Sequence, residues 1–366
     1  MTGIERVELD LLKVPLTTPY KLVFGNVAAF DTLLVTLTLD DGRSGIGEAT
    51  ILTGYTEETV DQCWQAACRI GADLPACPMA ELDDRLAPWR DGSPFTAAAF
   101  ATALDMALGH ATLRPDGAAV ALLAILNETD APAMESELER LLAAGYRTVK
   151  VKVGWDVAAD LRRVRRVQNA LRKRAAIRLD ANQGFSRDDG CAFVRGLDPD
   201  GIELFEQPCA AGDWDAAVAV KRAANVPMML DESIYTIDDV DKAAALGAAD
   251  IVKLKLMKLG SIDKLEAGLA RARALGLGTV LGNGVATEIG CWMEACVATK
   301  MVTTAGEMNG FLKQKRSLLT LPLRVEAGYL RWPAGFAPAL DAEAVATARV
   351  ARKDFRVRAA VGVAAQ

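Results

Sequence analysis

Five short apolar runs, each ending on or near a lysine or a carboxylate, recur through the middle of this chain at almost constant spacing. They are Val149-Lys150-Val151-Lys152, Ile177-Arg-Leu-Asp180, Ile202-Glu-Leu-Phe-Glu206, Met228-Met-Leu-Asp231 and Ile251-Val-Lys-Leu-Lys255. The steps are 28 residues from 152 to 180, then 26 to 206, 25 to 231 and 24 to 255. Alanine-, leucine- and arginine-rich segments of helical periodicity fill the intervals. Strand and helix alternating at this pitch build a parallel sheet, and enough such units close it into a barrel.

Side chains on a strand alternate between faces, so Lys150 and Lys152 share one side while Val149, Val151 and Val153 cover the other. Taken alone, the pair fits a solvated edge strand equally well. The repeat that follows favours a barrel interior, where two ammonium groups share one small space. The 366 residues suffice for a barrel with an added domain. A net charge of −6 gives no footprint for nucleic acid or an anionic membrane, which leaves small metabolites as partners. Seven cysteines, at 63, 68, 77, 191, 209, 291 and 296, lack metal-ligand spacing, and the first residues carry no basic-then-apolar signal. A reduced, cytoplasmic protein is expected. The longest strongly apolar run, Ala118 to Leu126, has nine residues, too few to span a bilayer.

Residues 3–15 and Phe30 to Leu39 read as antiparallel strands, the second turning through Asp40-Asp-Gly42 into Gly45-Ile-Gly-Glu48-Ala. The polar, glycine-punctuated stretches Thr17 to Gly25 and Ile51 to Glu58 read as loops. Helical, alanine-rich sequence from Thr56 to about Thr112 completes an α+β domain over residues 1–115. The barrel is expected over 116–320. Its strand one is Ala118 to Leu126, its first helix Asp130 to Ala144, its strand two 147–153, its strand seven 278–284 and its strand eight Met301 to Gly306. Residues 321–366 lose the repeat and are expected to return to the first domain.

In a parallel barrel the carboxyl ends of the strands carry the reactive groups. Asp180, Glu206 and Asp231 end three successive strands and point into one mouth, where they repel unless a cation sits among them. Mg²⁺ suits three carboxylates and keeps positions open for substrate, with Mn²⁺ able to substitute. The lack of cysteine or histidine at ligand spacing argues against zinc. The plain alternative makes each acid the N-cap of the next helix. Lys152 and Lys255, on strands two and six, stand across the mouth, so a substrate held at the cation has an ammonium on each side. Lys150, a dry site and the cation's field all disfavour a protonated lysine, which suits it to act as a base near neutral pH. A proton α to a carboxylate is so weakly acidic that its removal demands stabilisation of an enediolate, which a cation on the carboxylate provides. Glu307, if protonated, would donate one more hydrogen bond there.

Five motifs in order, Lys150-Val-Lys152, Asp180-Ala-Asn182-Gln-Gly-Phe, Glu206-Gln-Pro, Asp231-Glu232-Ser and Lys253-Leu-Lys255-Leu-Met-Lys258, together resemble the enolase superfamily in its muconate lactonizing enzyme subgroup. Gly45-Ile-Gly-Glu48-Ala extends the likeness into the first domain. The resemblance implies an α/β fold, a (β/α)7β TIM-like barrel with an α+β amino-terminal capping domain completed by the carboxyl-terminal segment. It implies Asp180, Glu206 and Asp231 as magnesium ligands, Lys152 and Lys255 as the acid/base pair, and loops near Tyr20, Lys21 and Tyr55 as the substrate lid. Asn182, Asn283, Glu307 and Asn309 are the further candidate substrate contacts. The mandelate racemase relatives use a strand-seven histidine, whereas the single histidine here, His110, lies in the first domain and reads as structural. Gly260-Ser261 and Pro333-Ala-Gly-Phe-Ala-Pro338 depart from the family's usual glycines without touching the chemistry. Strand eight carries Glu307-Met-Asn309-Gly-Phe-Leu-Lys313 in place of the paired aspartates with which dipeptide epimerases hold an ammonium, which argues against a dipeptide substrate.

The expected activity is Mg²⁺-dependent removal of an α-proton from a small carboxylate, most simply racemisation or epimerisation using both lysines. Cycloisomerisation of a muconate-type diacid and dehydration pass through the same enediolate. A Schiff-base aldolase built on Lys255 leaves the three acids unexplained, and a non-catalytic binding relative leaves both acids and lysines unexplained. A homo-oligomer is expected.

Overall fold

The computed structural model describes residues 2–22, 25–53, 56, 58–113 and 116–357. The first sheet is antiparallel. Strands β1 (Ile4–Leu22), β2 (Gly25–Leu39) and β3 (Ser44–Ile51) lie in sequence order. On β2 the alternation places Leu33, Val35, Leu37 and Leu39 wholly inside, against the helices Val60–Asp73 and Pro94–Ala107. The helix Val60–Asp73 opens with a capping box, in which the Thr59 and Gln62 side chains each accept from the other's backbone N–H.

The described residues expected to loop between 17 and 25 instead extend the paired strands β1 and β2. Tyr20 pairs with Val27, Lys21 with Asn26 and Leu22 with Gly25 after a register shift beyond Pro15. Cross-strand backbone bonding outweighs the weak strand preference of this polar stretch. Ile51, likewise expected in a loop, ends β3, and Tyr55 lies outside the described residues.

The apolar run expected as one barrel strand serves two sheets. Residues of β4 (Asp116–Ala121) pair antiparallel with a carboxyl-terminal hairpin, and only β5 (Ala124–Leu126) enters the barrel. The break falls at Leu122, whose N–H bonds to Gly328, and Leu123, whose N–H bonds to Gly306. The barrel sheet then runs in order through β6 (Thr148–Lys152), β7 (Ala176–Asp180), β8 (Ile202–Glu206), β9 (Met228–Leu230), β10 (Ile251–Leu254) and β11 (Gly278–Leu281), all parallel. Helices on its outside pack against the outward valines of β6.

The expected eighth strand is not formed, because the helix Glu288–Met301 consumes its start. Closure rests on a few backbone bonds: Gly306 donates to Ala121 at 2.8 Å and Glu307 to Leu281 at 3.0 Å. The chain finishes with the hairpin β12 (Arg324–Glu326) and β13 (Tyr329–Ala334), then β14 (Arg349–Arg356), which returns to pair antiparallel with β1.

Gly45 and Gly47 let β3 lie directly on the helix Pro94–Ala107. A Cβ at position 47 would sit 1.9 Å from the Ala99 carbonyl oxygen, and one at 45 would sit 2.2 Å from that of Ala103. Backbone cannot yield as a flexible side chain does. Gly47→Ala is expected to lower the unfolding free energy by about 2 kcal/mol or more. Urea unfolding followed by circular dichroism checks this, and an unchanged midpoint would contradict the close packing.

Candidate active site

The acids that end β7 and β8, and Asp231 just beyond β9, are released from capping duty by other residues. Asp156, Ser186, Asp213, Thr236, Ser261 and Thr287 cap the outer helices with their side chains. That removes the capping explanation for Asp180, Glu206 and Asp231, which are buried with at most 1% of their surface exposed. In register, Lys152 lies beside Asp180 and Asp180 beside Glu206.

A buried carboxylate must find a partner. Lys150 Nζ reaches Asp180 at 2.7 Å, Glu206 at 3.0 Å and Glu307 at 3.0 Å. Lys152 reaches Asp180 at 2.7 Å and also donates to the Asn182 side-chain oxygen Oδ1, while keeping about a quarter of its side chain open to solvent. Lys255 lies 2.7 Å from Asp231. β6 and β10 are separated by three strands in the sheet order, so Lys152 and Lys255 come from opposite parts of the barrel wall. Asn182, held at a left-handed φ of 40°, donates its side-chain amide to Glu232 at 2.9 Å.

Two further lysines join the cluster. Lys253 contacts Glu206 at 3.1 Å, Asp231 at 3.4 Å and Glu307 more closely still. Lys258 donates to the Asp231 carbonyl at 2.8 Å and stands 4.3 Å over the Tyr235 ring. The alternation rule that pairs Lys150 with Lys152 also pairs Lys253 with Lys255, so Lys253 was legible from its spacing. Lys258 sits in the turn of helix after Lys255, where strand alternation gives no signal.

These contacts set the protonation states. Burial opposes charge at Asp180, but Lys150 and Lys152 hold it down to about 2. Glu206 is pushed up to about 7 by burial and by Asp180 beside it. Lys152 and Lys255 were expected as bases beside a bound cation. With the carboxylates free to pair with lysines, burial disfavours charge at Lys150 and Lys255, yet Asp180, Glu206 and Glu307 hold Lys150, and Asp231 holds Lys255, above the ordinary ammonium value. Glu307 was to donate only if protonated; despite burial, Lys150 and Lys253 hold it well below the usual carboxylate range, which makes it an acceptor. Lys258 is lowered by burial, to about 8, against the pull of Asp231.

Other candidates lie around this cluster. Asn283 accepts from Val285 N at 3.2 Å and turns its amide to the Met257 sulfur. Asn309 donates to Leu123 O at 3.3 Å, and its own carbonyl oxygen is buried without a partner among the described residues. Lys313 donates to Gly284 O at 2.6 Å. The β1 arm carrying Tyr20 and Lys21 docks beside it, Leu16 bridging Gln314 and Lys315 N bonding Pro15 O at 2.9 Å. His110 pairs with Asp263 on the helix Ile262–Ala274, at 3.0 Å.

The donor set of three buried carboxylates on neighbouring strands is chemically that of a hard divalent ion. Beside it, Oε2 of Glu232 is buried without a partner among the described residues. As the side chains stand, no three acids, cysteines or histidines among the described residues converge at metal-ligand spacing. Lysine ammonium groups lie between the carboxylates instead.

Residues 133–344 match the family described as enolase C-terminal domain-like. Muconate cycloisomerase 1 of Rhodococcus opacus is 30% identical over 362 residues, covering 93% of this chain and 96% of that protein. The L-Ala-D/L-Glu epimerase of Bacillus subtilis (strain 168) is 29% identical over 309 residues, 78% of this chain and 82% of its own. The muconate lactonizing enzyme of Pseudomonas fluorescens, solved with muconolactone, superposes with a TM-score of 0.86 at 25% identity, over 95% of this chain and 99% of the other. Inward acids and lysines at the strand ends of a parallel barrel, under an antiparallel cap, define an enolase-type enzyme. The chain belongs to the enolase superfamily, in its muconate lactonizing enzyme subgroup, and is an isomerase or lyase whose family membership implies a divalent metal.

Cap and barrel are joined by a buried acid. Glu48 of β3 accepts from Thr287 N at 2.7 Å and from the Thr287 hydroxyl, at the amino end of the helix Glu288–Met301. Burial pushes its carboxyl up to about 8, against the Thr287 and Gly290 hydrogen bonds that favour charge. The folded protein thus holds this proton more tightly than the unfolded chain does. The stability it contributes is complete below the ordinary pKa of 4.5 and is lost as pH rises towards 8. Glu48→Gln is expected to flatten the fall in unfolding free energy between about pH 5 and 8. Equal slopes for the two proteins would contradict a protonated Glu48.

Proposed function

We propose that this enzyme removes the α-proton of a small carboxylate substrate in a Mg²⁺-dependent reaction, with racemisation or epimerisation as the net outcome. The observation that carries this reading is that Lys152 and Lys255, from opposite parts of the barrel wall, each pair with a different member of the acid trio, Asp180 and Asp231. Asp180, Glu206 and Asp231 would hold the metal. A bound Mg²⁺ would supply positive charge to offset the negative charge that develops on the substrate carboxylate, and Mn²⁺ could take the same place.

Lys152 and Lys255 then take and return the proton from opposite faces. Lys150, clasped by three carboxylates, keeps its charge and orients Asp180 and Glu206. Glu307 enters as a carboxylate, held by Lys150 and Lys253, and with the unpartnered Asn309 oxygen it offers the substrate acceptors. The β1 arm with Tyr20 and Lys21, and Tyr55, contact the distal part of the substrate. Cycloisomerisation or dehydration would use the same residues through the same intermediate. A Schiff-base role for Lys255 is disfavoured by its ion pair with Asp231, which keeps the amine protonated.

Proton NMR in D₂O over a set of chiral carboxylates tests this reading. Loss of an α-proton signal is expected with Mg²⁺ and not after exhaustive chelation. Asp180→Asn and Asp231→Asn should each weaken metal binding more than about tenfold with the fold retained. Exchange that survives chelation would contradict the metal-dependent mechanism.

A further inference from the structure

The barrel interior contains a closed ring of ion pairs. Lys150 lies 3.0 Å from Glu206, Glu206 lies 3.1 Å from Lys253, Lys253 is in contact with Glu307, and Glu307 lies 3.0 Å from Lys150. The two lysines are each 2% exposed, Glu206 1% and Glu307 5%, so none of the four can turn to water for compensation. Lys253 also reaches Asp231 at 3.4 Å, and so touches two of the three carboxylates assigned to the metal.

Lys253 stands two residues before Lys255 on β10 and faces the same way, which places it about 6–7 Å deeper along the strand. At that depth it faces the carboxylates and leaves the substrate faces to Lys152 and Lys255. Lys150, Lys152, Lys253, Lys255 and Lys258 pair with Asp180, Glu206, Asp231 and Glu307, and the buried Glu232 carboxylate acts on Lys255 and Lys258 as well. A divalent ion entering this cluster meets carboxylates that already have ammonium partners.

We propose that Lys253 is a positioning residue and resident counter-cation. It holds Glu206 and Glu307 in place before metal arrives and then opposes the metal by like-charge repulsion, so that it sets the enzyme's metal affinity. This rests on the metal assignment above. A residue that only filled space would leave metal affinity unchanged when replaced by an apolar side chain of similar length. A residue that repels the metal would raise the affinity on removal.

The test compares wild type with Lys253→Met, Lys253→Arg and the double variant Lys253→Met/Glu307→Gln, by Mn²⁺ titration calorimetry and by thermal unfolding in EDTA. Lys253→Met is expected to bind Mn²⁺ about tenfold more tightly than wild type. Lys253→Arg, which keeps the charge, should stay near wild type. In EDTA, Lys253→Met should unfold at lower temperature because Glu307 is left buried without one of its partners, and Glu307→Gln in the same chain should recover part of that loss. Equal or weaker Mn²⁺ binding by Lys253→Met, with wild type binding normally, would overturn the counter-cation role while leaving the metal assignment standing. Absence of Mn²⁺ binding in every protein would overturn both.

Discussion

Charge taken out of water must be met by opposite charge, and the interior of this barrel is organised around that requirement. Four buried carboxylates and the lysines among them form one connected network whose members come from β6, β7, β8, the end of β9, β10 and its end, and the segment that closes the barrel. No single pair explains it. Glu206 tolerates burial because Lys150 and Lys253 approach its two oxygens separately, and those lysines stay charged because Glu307 answers them from the other side. Outward valines and helix faces supply the bulk of the stability, but they leave the inward row free to be chosen for chemistry.

The same network governs how the lysines can act. Held by carboxylates, Lys150, Lys253 and Lys255 keep their protons; in the proposed mechanism a divalent cation that claims Asp180, Glu206 and Asp231 would loosen the clasp on Lys152 and Lys255. In that mechanism, metal binding and base strength are linked through shared carboxylates. Around this core the cap is fixed by close backbone contact at Gly45 and Gly47, by the carboxyl-terminal strand added beside β1, and by Glu48 at the end of a barrel helix. A cap held this way positions the β1 arm beside the closing segment without contributing to the charge network.

Sequence reading reached furthest where periodicity is strict. The alternation at Lys150 and Lys152 and the repeat of strand ends placed the acid trio and both outer lysines, because a parallel strand buried on both faces leaves few alternatives for a charged residue. It failed where pairing is decided by distant chain. The arm around Tyr20 and Lys21 is a strand only because β2 runs beside it, and Ala118 to Leu126 divides because its first half meets a hairpin some 200 residues later (Ala118 pairs with Trp332). The eighth strand dissolved into single backbone bonds at Gly306. The clasp of Asp231 on Lys255 and of Lys150 and Lys253 on Glu307 was not legible, because a sequence counts charges without showing which ones touch.

The central claim, that two lysines from opposite parts of one wall exchange a proton with a single substrate carbon, is tested most directly by separating them. With the carboxylate identified by exchange, each enantiomer would be incubated in D₂O with Lys152→Ala and with Lys255→Ala, and α-proton loss followed by NMR. The account predicts that each variant still exchanges one enantiomer, that the two variants choose opposite enantiomers, and that neither interconverts them at an appreciable rate. Normal exchange of both enantiomers by either variant would contradict it and assign the proton transfer to a single lysine.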